Sequence, residues 1–213
     1  DAVFETRIIV QDAEDSWPGY SFEWEGDDAT VLSSSKTVEV NDLQWPYPVE
    51  ECATCHTEEA LGALGPDTVQ LNMIGAEGTN QLEALDELGW FAESLGSVDA
   101  LPALADPFGN GDVEDRARAY LHGNCSSCHF GTFPAGDFRY DATLEEMGIC
   151  GVSAKKMPAG TKILDPGKPE NSAITLRMAE LGGLRMPPLG TNIVHDEGVD
   201  LLEEWILGID ACL

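Results

Sequence analysis

Near the start of the chain aromatic and polar side chains alternate: Tyr20, Phe22 and Trp24 are interleaved with Ser21, Glu23 and Glu25. This is the period-two pattern of a strand with one buried face, and Gly26-Asp27-Asp28 closes it as a turn. Residues 4–10 and 37–40 predict further strands. Three strands are too few for an independent core, so residues 1–49 are expected to form a small β-strand lobe that packs on the segment C-terminal to it or completes a sheet begun upstream. From residue 50 the period becomes helical. Residues 80–95 line up Leu82, Leu85, Leu88, Trp90 and Phe91, residues 113–121 form a second helix, and residues 196–209 gather Val199, Leu201, Leu202, Trp205 and Ile206 on one face. A linker rich in Gly, Pro, Asn and Asp, about residues 96–112, separates the first of these helices from the others. The pattern predicts a mainly α chain with a small N-terminal β lobe.

Composition narrows the function classes. Against 39 Asp and Glu the 213 residues hold only 11 Lys and Arg, a formal charge of −28. Binding a phosphate backbone needs clustered basic residues, so a nucleic-acid partner is excluded. No run of about 20 apolar residues is present to span a bilayer. The hydrophobic fraction of 43% is ordinary for a folded chain, so the acidity is spread over a protein with a core. The first residue is Asp1 with no basic-then-apolar leader, and any secretion signal is expected to lie outside this sequence.

The cysteines carry the chemistry. Two copies of Cys-x-x-Cys-His occur, Cys52-Ala53-Thr54-Cys55-His56 and Cys125-Ser126-Ser127-Cys128-His129, the pattern of covalent haem attachment. On a helical turn, positions i, i+3 and i+4 share a face, so two sulfurs can reach the vinyl carbons of one porphyrin edge while the next imidazole swings under the iron. A zinc ribbon would hold its cysteine pairs about 15–20 residues apart, far closer than these, and a thioredoxin-like pair would want a βαβ context. The reading is two covalently attached haem c groups, with Cys52, Cys55, Cys125 and Cys128 as attachment points and His56 and His129 as proximal ligands. Thioether attachment takes place outside the cytoplasm, where disulfides persist. The remaining Cys150 and Cys212 are then expected to be bridged, two buried thiols being the alternative.

A repeat of parts supports two units. Each motif is followed by a Met and then by an amphipathic helix, Met73 before the helix at 80 and Met186 before that at 196. The first unit is shorter. Expected domains are therefore 1–49, the β lobe; 50–111, a first and abbreviated haem domain; and 112–213, a second haem domain. Methionine sulfur is a soft iron ligand that raises the potential relative to a second imidazole, and Pro187-Pro188 stiffen the loop that presents Met186. The distal position of the first iron goes to Met73 by the repeat order, with His122 or no ligand as alternatives. Trp45-Pro46-Tyr47-Pro48, just before the first motif, either packs in the core or covers a haem edge. Arg139 and Lys168 are candidates to meet haem propionates, and the sequence does not choose among its basic residues.

The second unit resembles a class I cytochrome c domain over residues 112–213, on the helix entering Cys125–His129, the Met186-Pro187-Pro188-Leu189-Gly190 loop and the closing helix with Glu204-Trp205-Ile206. The resemblance implies His129 as proximal and Met186 as distal ligand, with first and last helices crossing beside the haem. Leu164-Asp165-Pro166-Gly167-Lys168-Pro169 resembles a loop of haem-binding domains in large bacterial secreted proteins. The whole chain resembles an uncharacterised bacterial secreted diheme family, on Trp17-Pro18-Gly19-Tyr20, Leu64-Gly65, Gln70-Leu71-Asn72 and the Asn124 preceding the second motif. Together these imply two cytochrome c-like haem domains, the first abbreviated.

The expected function is a secreted diheme c-type cytochrome, periplasmic or extracellular, carrying single electrons between redox protein partners. A strongly negative field favours a basic partner. The alternatives are a peroxidase-like or small-molecule oxidoreductase with one open iron, and the cytochrome module of a larger dehydrogenase or surface assembly.

Overall fold

The computed structural model describes residues 3–14, 16–57, 62–131 and 135–212. The alternating segment forms the centre of a three-stranded antiparallel sheet, β1 (Glu5–Ile9), β2 (Gly19–Glu25) and β3 (Asp28–Val31), in which Thr6 faces Phe22 and Trp24 faces Ala29. A hairpin of β4 (Lys36–Val40) and β5 (Leu43–Tyr47) comes next. Its two turn residues, Asn41 and Asp42, both take positive φ (51° and 64°), the geometry that matches the twist of paired strands and that Asn and Asp tolerate best. The aromatic residues serve this lobe. Tyr47 is buried and its hydroxyl donates to Phe4 O, Trp45 Nε1 donates to Glu5, and Trp24 Nε1 donates to Thr6 Oγ1 at 2.8 Å.

The helices are α1 (Thr68–Leu71), α2 (Gln81–Glu87), α3 (Val113–Cys125), α4 (Leu144–Met147), α5 (Ala173–Met178) and α6 (Asp196–Leu207). Only α3 and α6 run beyond two turns. They pack on one another through Ala117, Tyr120 and Leu121 against Leu201, Leu202, Trp205 and Ile206, with Phe138, Met147, Ile149 and Leu164 completing the core. Each large apolar side chain so buried contributes roughly 1.5–3 kcal/mol. Arg116 ties the two helices at the surface through Glu204 at 3.2 Å. Cys150 and Cys212 form a disulfide that anchors the chain just beyond α6.

The expectation of a mainly α fold made of two cytochrome c-like haem domains is overturned. Among the described residues there are five strands in two sheets and only 27% helix with 17% strand. Two physical causes account for the difference. The aromatic exit from the lobe pairs as β5, and Asp28–Val31 pairs as β3, so the β part is larger than its clearest alternation suggests. The helix expected at 80–95 ends at Glu87, because Gly89 adopts φ 71° and turns the chain out of the helix. Trp90 and Leu88, placed by periodicity on a buried stripe, are exposed at 75% and 71%.

The chain forms two compact units: Asp1–Leu64 together with Pro187–Val194, and Gly65–Met186 together with His195–Leu213.

Candidate functional site

The first motif belongs to the N-terminal unit. Cys52–Thr54 forms a single 3₁₀ turn, and the amides of Cys55 and His56 both donate to Cys52 O, at 3.3 and 3.0 Å. One turn thus carries both cysteines and the histidine. The β lobe holds the entry to that turn: Ser21 Oγ donates to Pro48 O, Ser35 Oγ accepts from Val49 N at 2.9 Å, and the same hydroxyl donates to Glu51. That hydrogen bond holds the Glu51 carboxyl below its ordinary range. Gly19, first residue of β2, lies so close to Cys52 that a Cβ there would stand 2.6 Å from its sulfur. His56 Nδ1 donates to Gly62 O at 2.5 Å, which leaves the lone pair on Nε2 for a metal. Gly62 itself has φ 73°, and the indole of Trp17 occupies the space a Cβ would take.

The second motif lies wholly in the other unit and repeats this geometry. α3 delivers Cys125 in its last turn, and the amides of Cys128 and His129 donate back to Cys125 O at 3.1 and 2.9 Å. Burial, and then the neighbouring Cys128, push the Cys125 thiol up to about 12. The His129 ring packs on Phe138 at 4.9 Å, and its Nδ1 is buried with no hydrogen-bond partner. Burial, and then the charge of Arg177, lower the His129 pKa and favour the neutral, ligating imidazole. Beyond the motif the Asp137 carboxylate accepts from Gly131 N and Arg139 N and pairs with the Arg139 guanidinium at 2.6 Å.

Of the methionines, Met186 belongs with the second motif's unit. Its amide donates to Arg177 O at 2.9 Å, in the last turn of α5, so the residue whose charge acts on His129 also fixes the Met186 backbone. Met73 is 49% exposed just after α1. It is grouped with residues 65–186, whereas His56 is grouped with residues 1–64. His122, the alternative ligand, is buried with both ring nitrogens engaged: Nε2 lies 2.8 Å from Asp67 Oδ2, and Nδ1 accepts from Tyr140 N at 3.3 Å. It braces the fold. His195 shares a hydrogen bond with the Tyr120 hydroxyl at 2.9 Å and meets Phe108 edge to face at 5.5 Å.

Cys52, Cys125 and Cys128 carry free thiols while Cys150 and Cys212 are bridged. Among the described residues no three His, Cys, Asp or Glu side chains gather around a common point, as a zinc site built from the cysteine pairs would require. A cavity of about 370 Å³ lined by Leu104, Asp115, Arg118 and Tyr140 includes no motif residue. Sequence reasoning missed the Gly62 carbonyl, the Trp17 contact and Arg177. A tryptophan just before the Pro18-Gly19 turn and a glycine six positions after His56 were the visible signals for the first two. Nothing in the sequence pointed to Arg177.

Comparisons with protein-family models, with curated proteins and with solved structures each return no match to this chain.

Proposed function

We propose that this chain is a secreted diheme c-type electron carrier, with one haem c bound through Cys52 and Cys55 and a second through Cys125 and Cys128. The observation that carries the proposal is the repeated turn in which a histidine amide returns to the carbonyl of the first cysteine, once at 3.0 Å and once at 2.9 Å. The residues fit the group. The hydrogen bond to Gly62 O orients His56 Nε2 for ligation, and burial holds His129 as a neutral imidazole able to ligate. Haem bound at such sites supplies an iron that alternates between ferric and ferrous states, one electron at a time.

The protein's own part is to hold ligands and shape the field. Met186, on a backbone fixed to Arg177 and stiffened by Pro187-Pro188, would offer a soft sulfur to the iron that His129 holds. His122, with its ring nitrogens engaged by Asp67 and Tyr140, is not available to the first iron. The Cys150–Cys212 bridge supports a periplasmic or extracellular setting. No helix among the described residues is long and apolar enough to cross a membrane. The charge of −28 suits a basic redox partner, either free or within a larger dehydrogenase or surface assembly.

The test is the intact mass of the protein produced in a periplasm equipped for haem c maturation and measured after denaturation. Two haem additions are expected, with Cys52→Ala/Cys55→Ala and Cys125→Ala/Cys128→Ala each losing one. A chain that matures without bound haem refutes the proposal.

A further inference from the structure

Seven of the 11 basic residues fall between positions 139 and 185, but they are not alike in what they touch. Arg139 is taken up by Asp137, and Lys168 stands 3.5 Å from Asp165. The Lys162 ammonium reaches Ser153 Oγ at 3.4 Å, and Lys155 and Lys156 are exposed. Arg177 and Arg185 differ from all of these. In each, Nε is buried with no hydrogen-bond partner, and among the described residues neither forms an ion pair. Their outer nitrogens are anchored on main chain, Arg177 Nη2 on Lys155 O at 2.7 Å and Arg185 Nη1 on Leu181 O and Gly182 O at 3.2 Å each.

A buried donor left unsatisfied costs about 1–3 kcal/mol, more where the group is charged, and in both of these half-exposed side chains it is the inner Nε that lies buried without a partner. A chain with 39 carboxylates had ample means to pair these two from within. The missing partner is therefore an anion from outside the polypeptide. Its place is set by Met186, whose amide donates to Arg177 O and which directly follows Arg185 in the chain. A haem held by Met186 would bring two propionate carboxylates, and a guanidinium fork is shaped for a carboxylate.

We infer that Arg177 and Arg185 bind the propionates of the haem attached to Cys125 and Cys128, and that their charge raises the reduction potential of that haem. This rests on the reading of the second motif as a haem site. A positive charge held close to the iron disfavours the ferric state, so removing it lowers the potential. Arg139 and Lys168, the sequence's candidates, already have carboxylate partners of their own.

The experiment is redox titration of the two-haem protein followed in its visible spectrum, with Cys125→Ala/Cys128→Ala identifying which wave belongs to the second haem. Arg177→Gln and Arg185→Gln are each expected to lower that wave and leave the other in place. Arg177→Lys, which keeps the charge but not the fork, is expected to recover most of the shift, and it carries the test should Arg177→Gln not fold. Unchanged potentials in both Gln variants overturn the inference, as does an equal fall in both waves, which would mark a general loss of positive charge. If the parent protein carries no haem on Cys125 and Cys128 by intact mass, the failure lies instead in the haem reading.

Discussion

One carbonyl oxygen decides which nitrogen of His56 is available to a metal. Gly62 O accepts from Nδ1, and Gly62 can hold that position because φ 73° and the Trp17 indole together leave room for no side chain. Gly62→Ala forces a left-handed conformation costing roughly 1–2 kcal/mol and adds a clash with Trp17. A lowered denaturation midpoint with less haem on Cys52 and Cys55, and full loading at Cys125 and Cys128, is the expected result; parental stability would show that Trp17 yields. Asp137 plays a comparable part after the second motif. The Arg139 hydrogen bond and three main-chain and charge contacts hold its carboxyl at about 2, below the ordinary 3.8. Because the folded value is depressed, the stability it contributes is full above about pH 4 and is lost as pH falls toward 2. Acid unfolding of Asp137→Asn, compared with the parent by circular dichroism, should lack the part of the stability loss that falls in that window.

Among the elements, α3 and α6 account for most of the second unit's core; both helices, and the apolar face of α6, were legible from periodicity. So were three strands and both Cys-x-x-Cys-His turns, since each rests on a local repeat of two, three or four residues. What could not be read locally was how far each element runs. Leu88, Trp90 and Phe91 continue a helical stripe in the sequence, but Gly89 ends the helix before them, and the pairing of β3 and β5 depends on partners rather than on alternation of their own. The candidate site divides the same way: the cysteines and histidines are named by spacing, whereas the Gly62 carbonyl and the orphaned Arg177 emerge only once distant segments meet. Cys150–Cys212 closes a separation of 62 residues around α5 and α6. By the chain-entropy relation such a loop contributes about 3–4 kcal/mol. Cys150→Ala/Cys212→Ala should lose about that much in denaturant unfolding under oxidising conditions and should not respond to added reductant, unlike the parent.

For the molecule as a whole, charge is the dominant property. With −28 distributed over both units, encounter with a basic electron donor should be steered, and the second-order rate of reduction should fall steeply as ionic strength rises through the range where the screening length drops below about 10 Å. A rate flat against salt would assign the acidity to solubility. The central claim, however, is that the chain binds two haems, one at each Cys-x-x-Cys-His turn, and leaves neither iron open. Low-temperature EPR of the fully oxidised protein tests it most directly. The account predicts two low-spin ferric signals and no high-spin iron. A high-spin component amounting to about one haem would contradict it, exposing an open coordination position and giving the chain the iron of an enzyme, with peroxide the first substrate to try.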